Sequence, residues 1–136
     1  MLIFLLFKMF IKHNTNPKGQ YVGDCVIRAI SNILDRPWGK VYVELCAYGY
    51  EMCDMPSSNH VWGSFLLDTG FKRYILPNEC PNCYTVRDFC KDYPEGNYIL
   101  ATGSHIIAVR DGDYYDTWDS GDEIPIYYWK EQTNAK

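Results

Sequence analysis

The dipeptide Asp111-Gly112 constrains this chain more than any other feature, because it stands between two runs of strand character, HIIAVR and DYYDTW. Asp-Gly is the signature of a two-residue type I′ hairpin turn, in which both residues take positive φ. With the turn set, the register follows by counting: Arg110 faces Asp113, Val109 faces Tyr114, Ile107 faces Asp116 and His105 faces Trp118. Directly opposed residues share one face of a sheet, so His105, Asp116 and Trp118 lie together, whereas Asp113 and Asp119 point to the other face. A bulge at Gly112 would slip the register by one and bring Asp119 or Asp113 into the place of Asp116.

The hairpin belongs to a strand-rich second half. NYILA, HIIAVR, DYYDTW and IPIYYWK are dense in β-branched and aromatic residues and divided by turn formers, which predicts an antiparallel meander. The first half has helical spacing instead. Val26, Ile27, Ile30, Ile33 and Leu34 predict a helix that starts at about Cys25 behind Asp24, an N-cap type, and closes at Asp35-Arg36-Pro37. Further helices are expected over Trp38–Met52, with Val41, Leu45, Cys46 and Tyr48 or Gly49 inward, over Ser58–Asp68, and over Thr85–Asp92, where Thr85 and Asp88 can form a capping box. Helices first and strands second predict an α+β domain, its N-terminal helices packed on a C-terminal antiparallel sheet. The domain is assigned to residues 14–130, after an N-terminal apolar extension or buried strand over 1–13 and before a short tail over 131–136.

The opening MLIFLLF is far short of the roughly 20 apolar residues that span a bilayer, and its lysines come after the apolar run rather than before it. Neither a membrane anchor nor a signal peptide is expected. With 13 Lys+Arg against 17 Asp+Glu and a net charge of -4, the chain lacks the phosphate-neutralising surface of a nucleic-acid binder. A domain of 136 residues buries a core without cross-links, so the six cysteines read as free thiols in a reducing, cytoplasmic compartment. Cys80-Pro81-Asn82-Cys83 has the spacing of half a zinc site, but no second pair matches it. No metal and no cofactor are therefore expected, with Cys80 and Cys83 the weak candidates.

A histidine fixed by a carboxylate is the base-and-orienter half of a catalytic triad, and it needs a nucleophile. Cys25 meets the requirement, because unpaired N–H groups and the helix dipole at a helix N-terminus favour a thiolate, as does a neighbouring imidazolium. The candidate constellation is Cys25, His105 and Asp116, in that chain order.

Several local strings carry a family resemblance. VGDCVIRAIS resembles the nucleophile segment of ovarian-tumour-type deubiquitinases, Asp-Gly-Asn-Cys-Leu-Phe-Arg-Ala. SHIIAV resembles the Ser/Gly-His-hydrophobic strand of papain-like and bacterial effector peptidases, and YYDTWDSG is similar to the Asn-Ser-Trp of papain. Over about residues 14 to 130 the order of elements resembles the papain-like cysteine peptidase superfamily in a minimal form, including small proteins encoded by phages and prophages. The resemblance implies a papain-like fold and a thiolate of Cys25 that attacks a carbonyl while His105 carries the proton to the leaving amine. It further implies that Trp118 shields the His105–Asp116 hydrogen bond and that a protein or peptide is the substrate, in the host cytoplasm if the chain is phage-encoded. Gln20, five residues before Cys25, and the Cys25 backbone N–H are candidates for the oxyanion position, the N–H being the safer donor, with Asp24 in support. The alternatives are a catalytically silent papain-fold protein that binds a host protein, and a zinc-stabilised interaction module built on Cys80 and Cys83. No motif encodes an oligomeric state.

Overall fold

Asp111 and Gly112 have φ of 48° and 83°, the paired positive values that a type I′ turn demands. The register follows as counted: Arg110 stands opposite Asp113, Val109 opposite Tyr114 and Ala108 opposite Tyr115. The computed structural model to which these values belong describes residues 9–77 and 81–133, so MLIFLLF and Cys80 lie outside the described residues.

In chain order the elements are β1 (Phe10–Lys12), α1 (Cys25–Leu34), α2 (Trp38–Met52), α3 (Asn59–Asp68), β2 (Phe71–Ile75), α4 (Val86–Asp92), β3 (Asn97–Ala101), β4 (Ile106–Arg110), β5 (Asp113–Asp116) and β6 (Tyr127–Glu131). The protein is α+β, as expected, but its sheet differs from a C-terminal antiparallel meander. Six strands run in the order β1-β5-β4-β3-β6-β2. β6 returns across the sheet to pair with β3 instead of β5. β1 joins the opposite edge and pairs in parallel with β5. Residues 10–12 therefore belong to the same sheet as the hairpin. β2 was not anticipated: FKRYI alternates polar and apolar residues too weakly to announce a strand, and its pairing with β6 makes it one.

Strand alternation divides the core in two. Ile99, Ala101, Ile106, Ala108, Tyr127 and Trp129 face α1, α2 and α3, where Ile30, Val41, Leu45, Trp62 and Leu66 meet them. Tyr98, Leu100, Ile107, Val109, Tyr114 and Tyr128 face the other way, onto Val86, Phe89 and Cys90 of α4. The helices thus flank the sheet on both sides rather than packing on one. On the second face, aromatic rings continue the packing, with Phe89 stacked on Tyr93 and set edge-on to Tyr98.

The helix ends follow local chemistry. α3 starts one residue after Ser58, whose hydroxyl accepts from the His60 N–H. Thr85 and Asp88 close the capping box expected of them. α2 buries Val41, Leu45 and Gly49, while Cys46 and Tyr48 are only half-buried. Gly49 takes the inward position because a Cβ there would lie 2.7 Å from the Asp54 carbonyl oxygen. β6 begins after Pro125, which has no N–H to give a ladder, so the strand predicted from IPIYYWK shortens to its second half.

Candidate active site

α1 begins at Cys25, and the residue before it sets the character of that end. Asp24 occupies the N-cap position but makes no side-chain cap hydrogen bond. Its carboxylate is buried at 4% exposure and turned to other donors: Arg28 Nε at 2.8 Å, Trp38 Nε1 at 2.9 Å and Asn16 Nδ2 at 3.3 Å. The N–H groups of the first turn of α1, that of Cys25 among them, are left without a side-chain cap and available to an oxyanion.

His105 sits just before β4, in a turn held by Thr102. The Thr102 hydroxyl oxygen accepts from the N–H groups of Ser104 and His105, at 3.2 and 3.0 Å. Asp116 is the last residue of β5. Both therefore lie beyond the paired stretch of the hairpin, yet the counted neighbours meet: His105 Nε2 donates to Asp116 Oδ2 at 2.6 Å. The imidazole is hydrogen-bonded to Cys25 as well. Trp118 lies over the imidazole, ring centroids 5.3 Å apart and planes inclined at 30°, with its outer side in solvent.

The electrostatics favour the charged forms of Cys25 and His105 together. Burial raises the Cys25 thiol, but hydrogen bonds from His105 and the Ile106 backbone N–H, together with the charges of His105 and Arg28, outweigh it and bring the thiol below its ordinary value. Burial opposes the charge on His105 too, and the bonds to Asp116 and Cys25 overcome it, raising the imidazole to about 9. Asp116 is pushed up by burial and pulled further down by His105, Ser120 and the Thr117 N–H, so it stays ionised.

Three partners of this site went unread in the sequence. Arg28 bridges Asp24 and Asp116, its Nη1 donating to Asp116 Oδ1 at 3.3 Å. The i,i+4 spacing of Asp24 and Arg28 was a legible signal; the long-range bond to Asp116 was not. Ser120, fully buried, donates to Asp116 Oδ2 at 2.6 Å. Thr102 could have been suspected from the Thr-Gly-Ser-His string, since a threonine hydroxyl commonly holds a turn a few residues on.

Other expected participants stand elsewhere. Asp119, the alternative carboxylate, accepts from the Tyr114 hydroxyl and pairs with Arg87; the register did not slip, and this carboxylate turns away from His105. Gln20 is exposed on a loop that Asn14 and Asn16 organise through the Gln20 carbonyl and N–H. Cys25, Cys46, Cys53 and Cys90 are free thiols. Cys83 is disulfide-bonded, contrary to the expectation that every cysteine is free, and a sulfur in a disulfide is no zinc thiolate. Among the described residues no group of three or more His, Cys, Asp or Glu is placed to hold a metal, and no helix is long and apolar enough to cross a membrane.

No family model, no curated protein and no solved structure matches the chain.

Proposed function

We propose that this protein is a papain-like cysteine hydrolase that cleaves a peptide or isopeptide bond through Cys25, His105 and Asp116. The observation that carries the reading is the continuous chain of hydrogen bonds from the Cys25 sulfur through His105 to Asp116, set at the uncapped N-terminus of α1. The Cys25 thiolate attacks the carbonyl carbon, and the oxygen that becomes negative is met by the Cys25 N–H. The C–N bond breaks as the His105 imidazolium gives its proton to the leaving amine, which leaves an acyl-thioester on Cys25 and a neutral imidazole. His105 then takes a proton from water, the hydroxide equivalent attacks the thioester, and the carboxylic acid departs as Cys25 regains its thiolate. Asp116 holds the imidazole in orientation throughout and stabilises its charge.

The test is the rate of iodoacetamide labelling at each cysteine against pH, read by peptide mass spectrometry. Cys53, an exposed and free thiol, is the internal reference. Cys25 should label with a midpoint well below the free-cysteine value of about 8.5 and return towards it in His105→Ala. A Cys25 that reacts no faster than Cys53 and ignores His105 would refute the hydrolase and favour a silent binding protein of the same fold.

A further inference from the structure

Away from Cys25, a cavity of about 540 Å³ opens between α3 and the β2–β6 edge of the sheet. The register explains its floor. Arg73 of β2 stands directly opposite Trp129 of β6, so guanidinium and indole rise from one face. The guanidinium lies over the Tyr127 ring, 4.2 Å from its centroid, and among the described residues it makes no ion pair with a carboxylate. Stacking satisfies the flat face of an arginine; the Tyr127 side chain takes one hydrogen bond from Arg73, and the rest of its edge of N–H donors is left for a planar anion.

Trp129 adds a second donor. It is 7% exposed, and its Nε1–H has no acceptor among the described residues, an arrangement that buried indoles ordinarily avoid. Gly63 lets α3 come close to it: a Cβ there would lie 3.2 Å from Trp129 Cζ2, on the nitrogen-bearing edge of the indole. His60 and Ser64 line the wall from α3, and no carboxylate lines the cavity at all, in a chain whose net charge is -4. This wall is the first part of α3, where the helix dipole is positive and the first turn carries no acidic residue.

We propose that this cavity binds a carboxylate, either the terminal carboxylate of a peptide or an acidic side chain, on the Arg73 fork and the Trp129 indole N–H. Binding is measured without turnover, so its outcome is separate from that of the Cys25 labelling.

The experiment follows the four indole N–H signals of the full ¹⁵N-labelled chain by NMR, with Trp129 assigned through Trp129→Phe. Three probes are titrated: N-acetylglycine for a terminal carboxylate, N-acetylglutamate N-methylamide for a side-chain carboxylate, and N-acetylglutamine N-methylamide as the neutral counterpart. At least one of the two acids should shift the Trp129 signal saturably, with the tighter of them naming the source, while the neutral amide leaves it in place. Arg73→Ala should weaken that acid by about tenfold or more. Ser64→Asp, which puts a carboxylate into the cavity without touching the aromatic floor, should abolish binding while the other indole signals stay in place and certify the fold. If neither acid moves the Trp129 signal, if the amide binds as well as the acid, or if both variants bind as the parent does, the carboxylate site is overturned.

Discussion

His105 donates through Nε2 to Asp116 Oδ2 at 2.6 Å, and Asp116 receives Arg28 on its other oxygen at 3.3 Å. One carboxylate therefore ties the hairpin to α1, the helix that begins with Cys25, and holds the imidazole against the sulfur. It is also 2% exposed, so these bonds act in a medium where charge interactions are strong.

Removing the charge from Asp116 separates it from its neighbour Asp119. In Asp116→Asn the imidazolium loses its carboxylate partner and the Cys25 labelling midpoint should rise towards the ordinary thiol value, by about one pH unit or more. Asp119→Asn, whose side chain is engaged with Tyr114 and Arg87, should leave that midpoint where it is. Equal effects from both variants would contradict the register.

Stability should depend on His105 over a defined window. The imidazole holds its proton up to about 9 in the fold, against an ordinary value of 6.5. The imidazolium therefore contributes stability that is complete below about pH 6.5 and is lost as pH rises through the folded value. The lowered thiol of Cys25 titrates with the opposite sign, so the window is clearest in Cys25→Ala. There the imidazole value itself falls, because Cys25 is one of its supports. Urea unfolding of Cys25→Ala should show stability declining from about pH 6.5 upward, and the double variant with His105→Gln should lack that decline.

Arg28 is 12% exposed in its side chain and is shared by two buried carboxylates. Arg28→Ala leaves Asp24 without its cation and Asp116 with His105 alone, and should cost about 3 kcal/mol, the usual penalty for breaking a buried pair from one side. Arg28→Lys keeps the charge but loses the fork that reaches Asp24 and Asp116 together, so it should recover only part of the loss in urea unfolding.

Ser120→Ala deletes the hydroxyl that bonds Asp116 Oδ2 and should cost about 1–2 kcal/mol at neutral pH. The same hydroxyl helps to hold Asp116 below its ordinary value of 3.8. The stability due to that depression is present above the unfolded value and is lost as pH falls through the folded one. The folded value moves up in Ser120→Ala, so acid destabilisation below pH 3.8 should be shallower and end at a higher pH than in the parent.

Local chemistry made much of this protein legible. Asp-Gly specified a turn with two positive φ values, the capping box placed α4, and the three- and four-residue spacing from Val26 to Leu34 placed α1 behind Asp24. Each of these depends on interactions within a few residues of chain, which is why counting sufficed. Asp24 marks where such reasoning stops. Its residue type predicts a cap, but Trp38 and Arg28 compete for the same carboxylate and hold it.

The sequence by itself determined the element order of α1 to α4, the hairpin register, and through it the nearness of His105 to Asp116, because a two-residue turn leaves a strand no freedom to slide. Tertiary structure decided the rest. Strand alternation would leave His105 on the face of Ile107 and Tyr114, which pack against α4, while Cys25 packs with the opposite cluster. The two residues meet because His105 lies before β4, outside the paired strands, where the pleat no longer dictates direction and its bonds to Thr102 and Asp116 do. Asp116, still paired with Lys12 of β1, is tied to α1 by Arg28. The placing of β1, β2 and β6 was likewise settled by pairing between distant segments. Such pairing depends on which buried faces and backbone groups find partners across the whole chain, and no local pattern records that choice.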